Sequence, residues 1–112
     1  MKMGELRRDA IFSSGTEPFV TPLEPEANGV VTLRCRTAKG NVDEVNLIHE
    51  ESSSKMYKEY SDELFDYYSV EMKLEEVPFS YYFQIKKDNT VIYFNKQGDV
   101  DVPNPQYSYC LY

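Results

Sequence analysis

His49 is the only histidine in the chain, so any Ser-His or Cys-His catalytic arrangement would have to run through it. It closes an apolar-alternating segment and is followed by Glu50 and Glu51, a setting in which a hydrogen-bonded structural role is the expected one. Two carboxylate pairs, Asp62 with Asp66 and Asp99 with Asp101, have a spacing compatible with acid–base work or calcium binding. Neither fits the calcium loop that requires a central glycine and a terminal glutamate. In a chain with 19 acidic and 12 basic residues, such pairs are expected to face water. Cys35 and Cys110 show neither metal-ligand spacing nor a Cys-x-x-Cys pair. They fit either an inter-sheet disulfide or two buried thiols in a reducing compartment, and the second is the plainer reading. With no glycine-rich phosphate cradle either, the residues present predict no catalytic site, no metal site and no cofactor.

Aromatic side chains are the remaining chemical signal. Tyrosine supplies 10 of the aromatic residues and tryptophan none, so the rings available are amphipathic ones with a polar tip. Flat rings on a wet surface can stack on the apolar face of a sugar while polar neighbours bind its hydroxyls. Tyr57, Tyr67, Tyr82 and Tyr93 fall on the outward side of alternating segments, and Tyr60 lies beside the 61 to 66 corner. Tyr57, Tyr60 and Tyr67 are the candidate carbohydrate contacts. The competing account is cross-strand pairing that only stabilises a sheet, or burial of the rings against another domain. A net charge of −7 with no isolated Lys/Arg cluster predicts no nucleic-acid partner and no anionic membrane surface. No apolar run reaches the length of a membrane helix, and the first residues lack the hydrophobic centre of a secretion signal, so a cytoplasmic location is expected.

The elements that must position these groups read as strands. At 112 residues the chain is expected to be a single domain, residues 1–112, able to bury roughly 65% of its unfolded surface. Val31, Leu33 and Cys35 alternate with Thr32, Arg34 and Arg36; Tyr68, Val70, Met72 and Leu74 alternate with Tyr67, Ser69, Glu71 and Lys73. Phe79, Tyr81, Phe83 and Ile85 form the most apolar inward set, and Val45 and Leu47 form a shorter one. Ala38 to Asn41 predicts a turn, and Lys87 to Thr90 predicts a hairpin with Asp88 and Asn89 at the two positive-φ positions of a type I′ loop. Ala10 to Phe12 predicts a short strand or strap, and Phe19-Val20 predicts an edge pairing within a proline-rich stretch. Lys55 to Tyr60 predicts an exposed edge strand, after a polar loop at Glu50 to Ser54. At the 61 to 66 corner, Ser61 is placed to cap a helical turn, and Leu64-Phe65 looks buried. About seven short strands without a helix predict an all-β, immunoglobulin-like antiparallel β-sandwich.

Several segments, taken in order, resemble a known family. They are Leu6 to Phe12, Leu33-Arg34-Cys35-Arg36-Thr37, Val45-Asn46-Leu47-Ile48-His49, Asp62-Glu63-Leu64-Phe65-Asp66-Tyr67-Tyr68 and Tyr107-Ser108-Tyr109-Cys110. Together they resemble the N-terminal domain of cyclomaltodextrinases, neopullulanases and maltogenic amylases, classed as carbohydrate-binding module family 34. That domain precedes the catalytic barrel of these glycoside hydrolase family 13 enzymes. The resemblance implies a non-catalytic front domain whose partner is the catalytic barrel of the same or a neighbouring subunit. It implies a role in dimer assembly and cleft shaping, with maltooligosaccharide, cyclodextrin or pullulan as the sugars within reach. The chain departs from the family pattern in having Ser13-Ser14-Gly15 after Phe12, and serines with Tyr57 where tryptophan is common. The alternative class is a stand-alone immunoglobulin-like module that pairs through an edge strand.

Overall fold

The computed structural model describes residues 10–13, 19–21, 29–49, 52–73, 79–96, 98–101 and 108–111. Among the described residues ten strands run in the order β1 Val20–Thr21, β2 Val30–Ala38, β3 Glu44–His49, β4 Ser52–Lys55, β5 Tyr57–Ser61, β6 Phe65–Lys73, β7 Phe79–Lys87, β8 Thr90–Asn95, β9 Gly98–Val100 and β10 Tyr109–Leu111. They build two antiparallel sheets. One has the order β1-β2-β6-β5; the other has β4-β3-β7-β8-β9, with β10 paired to the start of β7. The immunoglobulin-like sandwich read from the alternation is the fold found. The strand count rises from about seven because β1, β4 and β9 are edge pieces of two to four residues, too short to show a period.

Alternation explains the core. Val31, Leu33 and Cys35 of β2 face Val45 and Leu47 of β3 and Tyr81, Phe83 and Ile85 of β7, all nearly inaccessible. Each fully buried Val, Leu, Ile or Phe side chain contributes roughly 1.5–3 kcal/mol relative to exposure. Between β2 and β6 the ladder runs without a break from Val30↔Lys73 to Ala38↔Phe65. It sets Tyr68 inward and leaves Thr32, Arg34 and Arg36 beside Glu71, Ser69 and Tyr67 on the outer face. The predicted strap at Ala10 to Phe12 makes a one-residue bridge, with Phe12 and Arg36 exchanging both backbone hydrogen bonds. Phe19-Val20 pairs at the edge as expected, through Val20↔Leu33.

Four local readings are corrected. Ser52 to Ser54, read as part of a loop at Glu50 to Ser54, belong with Lys55 to a strand that pairs with Asn46 to His49; its serines carry no apolar pattern, and the pairing is made through the backbone. The strand read over Lys55 to Tyr60 is divided at Met56, which is buried and whose amide donates to the Val45 carbonyl, as the chain passes from one sheet to the other. No helical turn follows Ser61. Asp62 instead accepts the Leu64 and Phe65 amides at 2.9 and 2.7 Å, a carboxylate being the stronger acceptor, and Leu64 stands 69% exposed. In the β7–β8 hairpin, Asp88 takes positive φ (52°) but Asn89 is not among the positive-φ residues; the Asp88 amide is held by the Asp43 carboxylate at 2.6 Å. The Ala38 to Asn41 turn is as read, with Gly40 at φ 63° and the Asn41 amide bonded to the Ala38 carbonyl.

Candidate functional site

The three tyrosines singled out from the sequence come together on the outer face of the β1-β2-β6-β5 sheet. Strict alternation along β5 would send Tyr57 and Tyr60 to opposite faces, because they are three residues apart. The ladder to β6 prevents this. Tyr57 lies opposite Ser69 and Lys58 opposite Tyr68, but Tyr60 lies opposite Tyr67 and Ser61 opposite Asp66. One extra residue, Glu59, is inserted in β5, which defines a β-bulge. Beyond it Tyr60 stacks on Tyr67 with ring centroids 4.5 Å apart and planes inclined by 13°. Tyr57 is 54% and Tyr60 47% exposed, whereas Tyr67 is half-buried.

Residues not singled out beforehand extend this surface. The Arg36 guanidinium lies 4.0 Å from the Phe65 ring centroid and 5.3 Å from that of Phe12, cation–π geometry on both. Phe65 meets Tyr67 edge to face at 6.4 Å. Phe12, Arg36, Phe65, Tyr67 and Tyr60 thus form one continuous row. The signal in the sequence was Arg36 on the polar side of β2, which points to no role until its strand neighbours are known; Phe65, read with Leu64 as buried, is half-buried on the outer face beside it. Beside the row, an open depression of about 290 Å³ is lined by Asp62, Glu63 and Leu64.

The corner below is held by two carboxylates. Asp62 also accepts from the Tyr67 hydroxyl at 3.2 Å, and the Leu64 and Phe65 amides hold its carboxyl below the ordinary aspartate range. Burial presses Tyr67 above the usual phenol range, and the bond to Asp62 adds to that. Asp66 is only 1% exposed and accepts from the Ser61 hydroxyl at 2.5 Å and the Gly40 amide at 2.8 Å, with the Lys58 ammonium 3.4 Å away. Desolvation pulls its carboxyl upward, but these three partners outweigh it and the net displacement is downward. Asp62 and Asp66 therefore act as structural acceptors.

His49 and Cys35 are accounted for by their surroundings. His49 bonds through Nδ1 to the Ser80 carbonyl at 2.7 Å, and since a carbonyl only accepts, Nδ1 carries the proton. Cys35 is a free, fully buried thiol, and burial pushes it up to about 12, far from the thiolate a nucleophile needs. The Cys110 side chain lies outside the described residues. Among the described residues no group of three His, Cys, Asp or Glu is placed to hold a metal ion, and no helix is long and apolar enough to cross a membrane.

Two stacked sheets carrying a solvent-facing aromatic row define an immunoglobulin-like β-sandwich domain. Residues 6–111 match the family model described as alpha amylase, N-terminal ig-like domain, and the chain belongs to that family. A solved cyclomaltodextrinase is similar in fold, with a TM-score of 0.78 at 20% identity over 91% of this chain and 19% of the other. The crystal structure of maltogenic amylase from S. marinus is similar with a TM-score of 0.74 at 11% identity, over 99% of this chain and 15% of that one. The chain thus spans less than a fifth of the length of either structure.

Proposed function

We propose that this chain is the non-catalytic N-terminal accessory domain of an α-glucan-acting glycoside hydrolase of cyclomaltodextrinase or neopullulanase type. In this reading it works in the cytoplasm beside the catalytic barrel of its own or a neighbouring subunit, contributing to dimer assembly and cleft shaping. The observation that carries the reading is the family match across residues 6–111, joined to structures of which this domain occupies under a fifth. Reading the gene beyond Tyr112 tests it. A barrel with three catalytic acids supports the proposal, and an immediate stop codon favours a stand-alone interaction module using the open edge of β5.

The sugar-binding part of the proposal rests on Tyr57, Tyr60 and Tyr67. Two exposed rings and the stack beneath one of them give a maltooligosaccharide, cyclodextrin or pullulan chain an apolar platform, and the Glu63 carboxylate beside it offers an acceptor for sugar hydroxyl hydrogen bonds. Affinity electrophoresis in soluble starch is the direct test. Retarded migration supports the platform; unchanged mobility removes all three tyrosines from it.

A further inference from the structure

We infer that the one-residue register shift at Glu59, anchored by Arg34, is what places Tyr60 on the solvent side of the sheet opposite Tyr67, which makes Glu59 and Arg34 positioning residues for the tyrosine platform. The starting point is the ladder on the N-terminal side of the shift. Tyr57↔Ser69 and Lys58↔Tyr68, continued without interruption, would pair Glu59 with Tyr67 and Tyr60 with Asp66. Tyr60 would then turn toward the inner side, where the buried Asp66 carboxylate is engaged by Ser61, Gly40 and Lys58. The observed pairing absorbs Glu59 as the extra residue and returns Tyr60 to the outer face. A bulge re-aims the side chains that follow it, and here it re-aims an aromatic ring.

Glu59 is held from two strands away. Arg34 of β2 reaches over β6, with Nε 2.8 Å from Oε1 and Nη2 3.4 Å from Oε2, a two-pronged arrangement of the kind guanidinium and carboxylate favour. The Arg34 end is fixed in turn, since Nη1 donates to the Thr21 hydroxyl at 3.1 Å. The two side chains are 18% and 33% exposed, so the pair is partly screened from solvent and oriented by packing. It lies beside the outward position of Ser69, whose neighbours across the ladders are Arg34 and Tyr57. The contact therefore ties the outward placement of Glu59 to the same face that carries Tyr57, Tyr60 and Tyr67.

The use of this platform for sugar rests on the proposed function; the positioning claim does not. Both are tested on the 112-residue chain by the contact between the Tyr60 and Tyr67 ring protons in NMR, alongside mobility in soluble starch. Because the chain has no tryptophan, near-UV circular dichroism adds a tyrosine-dominated signal. Glu59→Ala and Arg34→Met are expected to lose most of the ring contact, and where wild type binds starch, binding should weaken about tenfold. The charge-exchanged double variant Arg34→Glu/Glu59→Arg is expected to recover part of both.

Deletion of Glu59 is the discriminating variant. It makes 57↔69, 58↔68, 60↔67 and 61↔66 a continuous ladder, so the stack is expected to survive although the anchor is gone. Retention of the ring contact in Glu59→Ala and Arg34→Met overturns the positioning role, and so does its loss in the deletion. If neither substituted protein folds by far-UV dichroism, the deletion alone decides on the same criterion. Wild type that keeps the stack without being retarded by starch overturns the sugar reading and leaves positioning standing.

Discussion

Two tyrosine pairs sit on the outer faces of this sandwich, and they differ in how much open ring surface each leaves. Tyr60 and Tyr67 are directly opposed across β5 and β6 and lie nearly parallel, 4.5 Å apart. Tyr82 and Tyr93 are diagonal across β7 and β8, since Tyr93 opposes Gln84, and they meet edge to face at 6.0 Å with planes at 65°. Direct opposition brings Cβ atoms within about 5 Å and favours stacking, whereas the diagonal lies about 7–8 Å away and favours an edge contact. Position in the sheet sets the rest. β5 ends its sheet, so Tyr60 keeps an open side, whereas β7 and β8 each have neighbours on both sides and Tyr82 and Tyr93 are half-buried. The same residue type keeps an open ring face at an edge and braces its neighbours in the middle.

The comparison can be broken or sharpened by substitution. Phe83→Ala has the largest expected effect, because this fully buried ring meets Tyr81 and Tyr109. It should cost about 3–5 kcal/mol in urea denaturation and abolish both pairs together. Asp66→Ala follows at about 2 kcal/mol, by stranding donors that now share a buried carboxylate. Its effect should fall on the Tyr60 side, since Ser61 loses its tie while the β7–β8 pair keeps every partner. The same group predicts the acid limb. The Asp66 carboxyl is held below its unfolded value, so its contribution is complete above the ordinary aspartate range and is lost as pH falls through the depressed value. Thermal melts from pH 6 to pH 2 should show that loss, and Asp66→Asn should flatten it.

Smaller effects distinguish the two pairs themselves. Tyr82→Ala should lower stability by about 1–2 kcal/mol and leave starch mobility untouched, as expected for a brace. Tyr60→Ala should cost less than about 1 kcal/mol in stability yet remove starch retardation. The reverse outcome, stability lost at Tyr60 and sugar affinity lost at Tyr82, would exchange the roles assigned to the two faces.

Period-two alternation made β2, β6, β7 and the inward residues of β3 legible, because each is a central strand with one face in the core. Less was legible where pairing is made by backbone alone. Ser52–Lys55 shows no apolar pattern, and nothing in a run of serines distinguishes an edge strand from a loop. Of the candidate site, the residue types were legible and the geometry was not. Tyr57, Tyr60 and Tyr67 stood out as outward or corner rings, but their common face depends on a bulge, which is a property of two strands in register. Arg36 and Phe12 joined the row for the same reason, since their contacts run between segments distant in the chain. Leu64 was misplaced because hydrophobicity was taken as burial, while the corner is in fact secured by carboxylate bonds.

Met56 carries a consequence of its own. It joins β4 to β5 while crossing between the layers, so the two strands are one continuous length of chain stitched through the sandwich at a buried thioether. The amide bond from Met56 to the Val45 carbonyl fastens that stitch to β3. Tension applied to β5 is therefore passed along the chain through Met56 to β4 and β3 in the opposite layer.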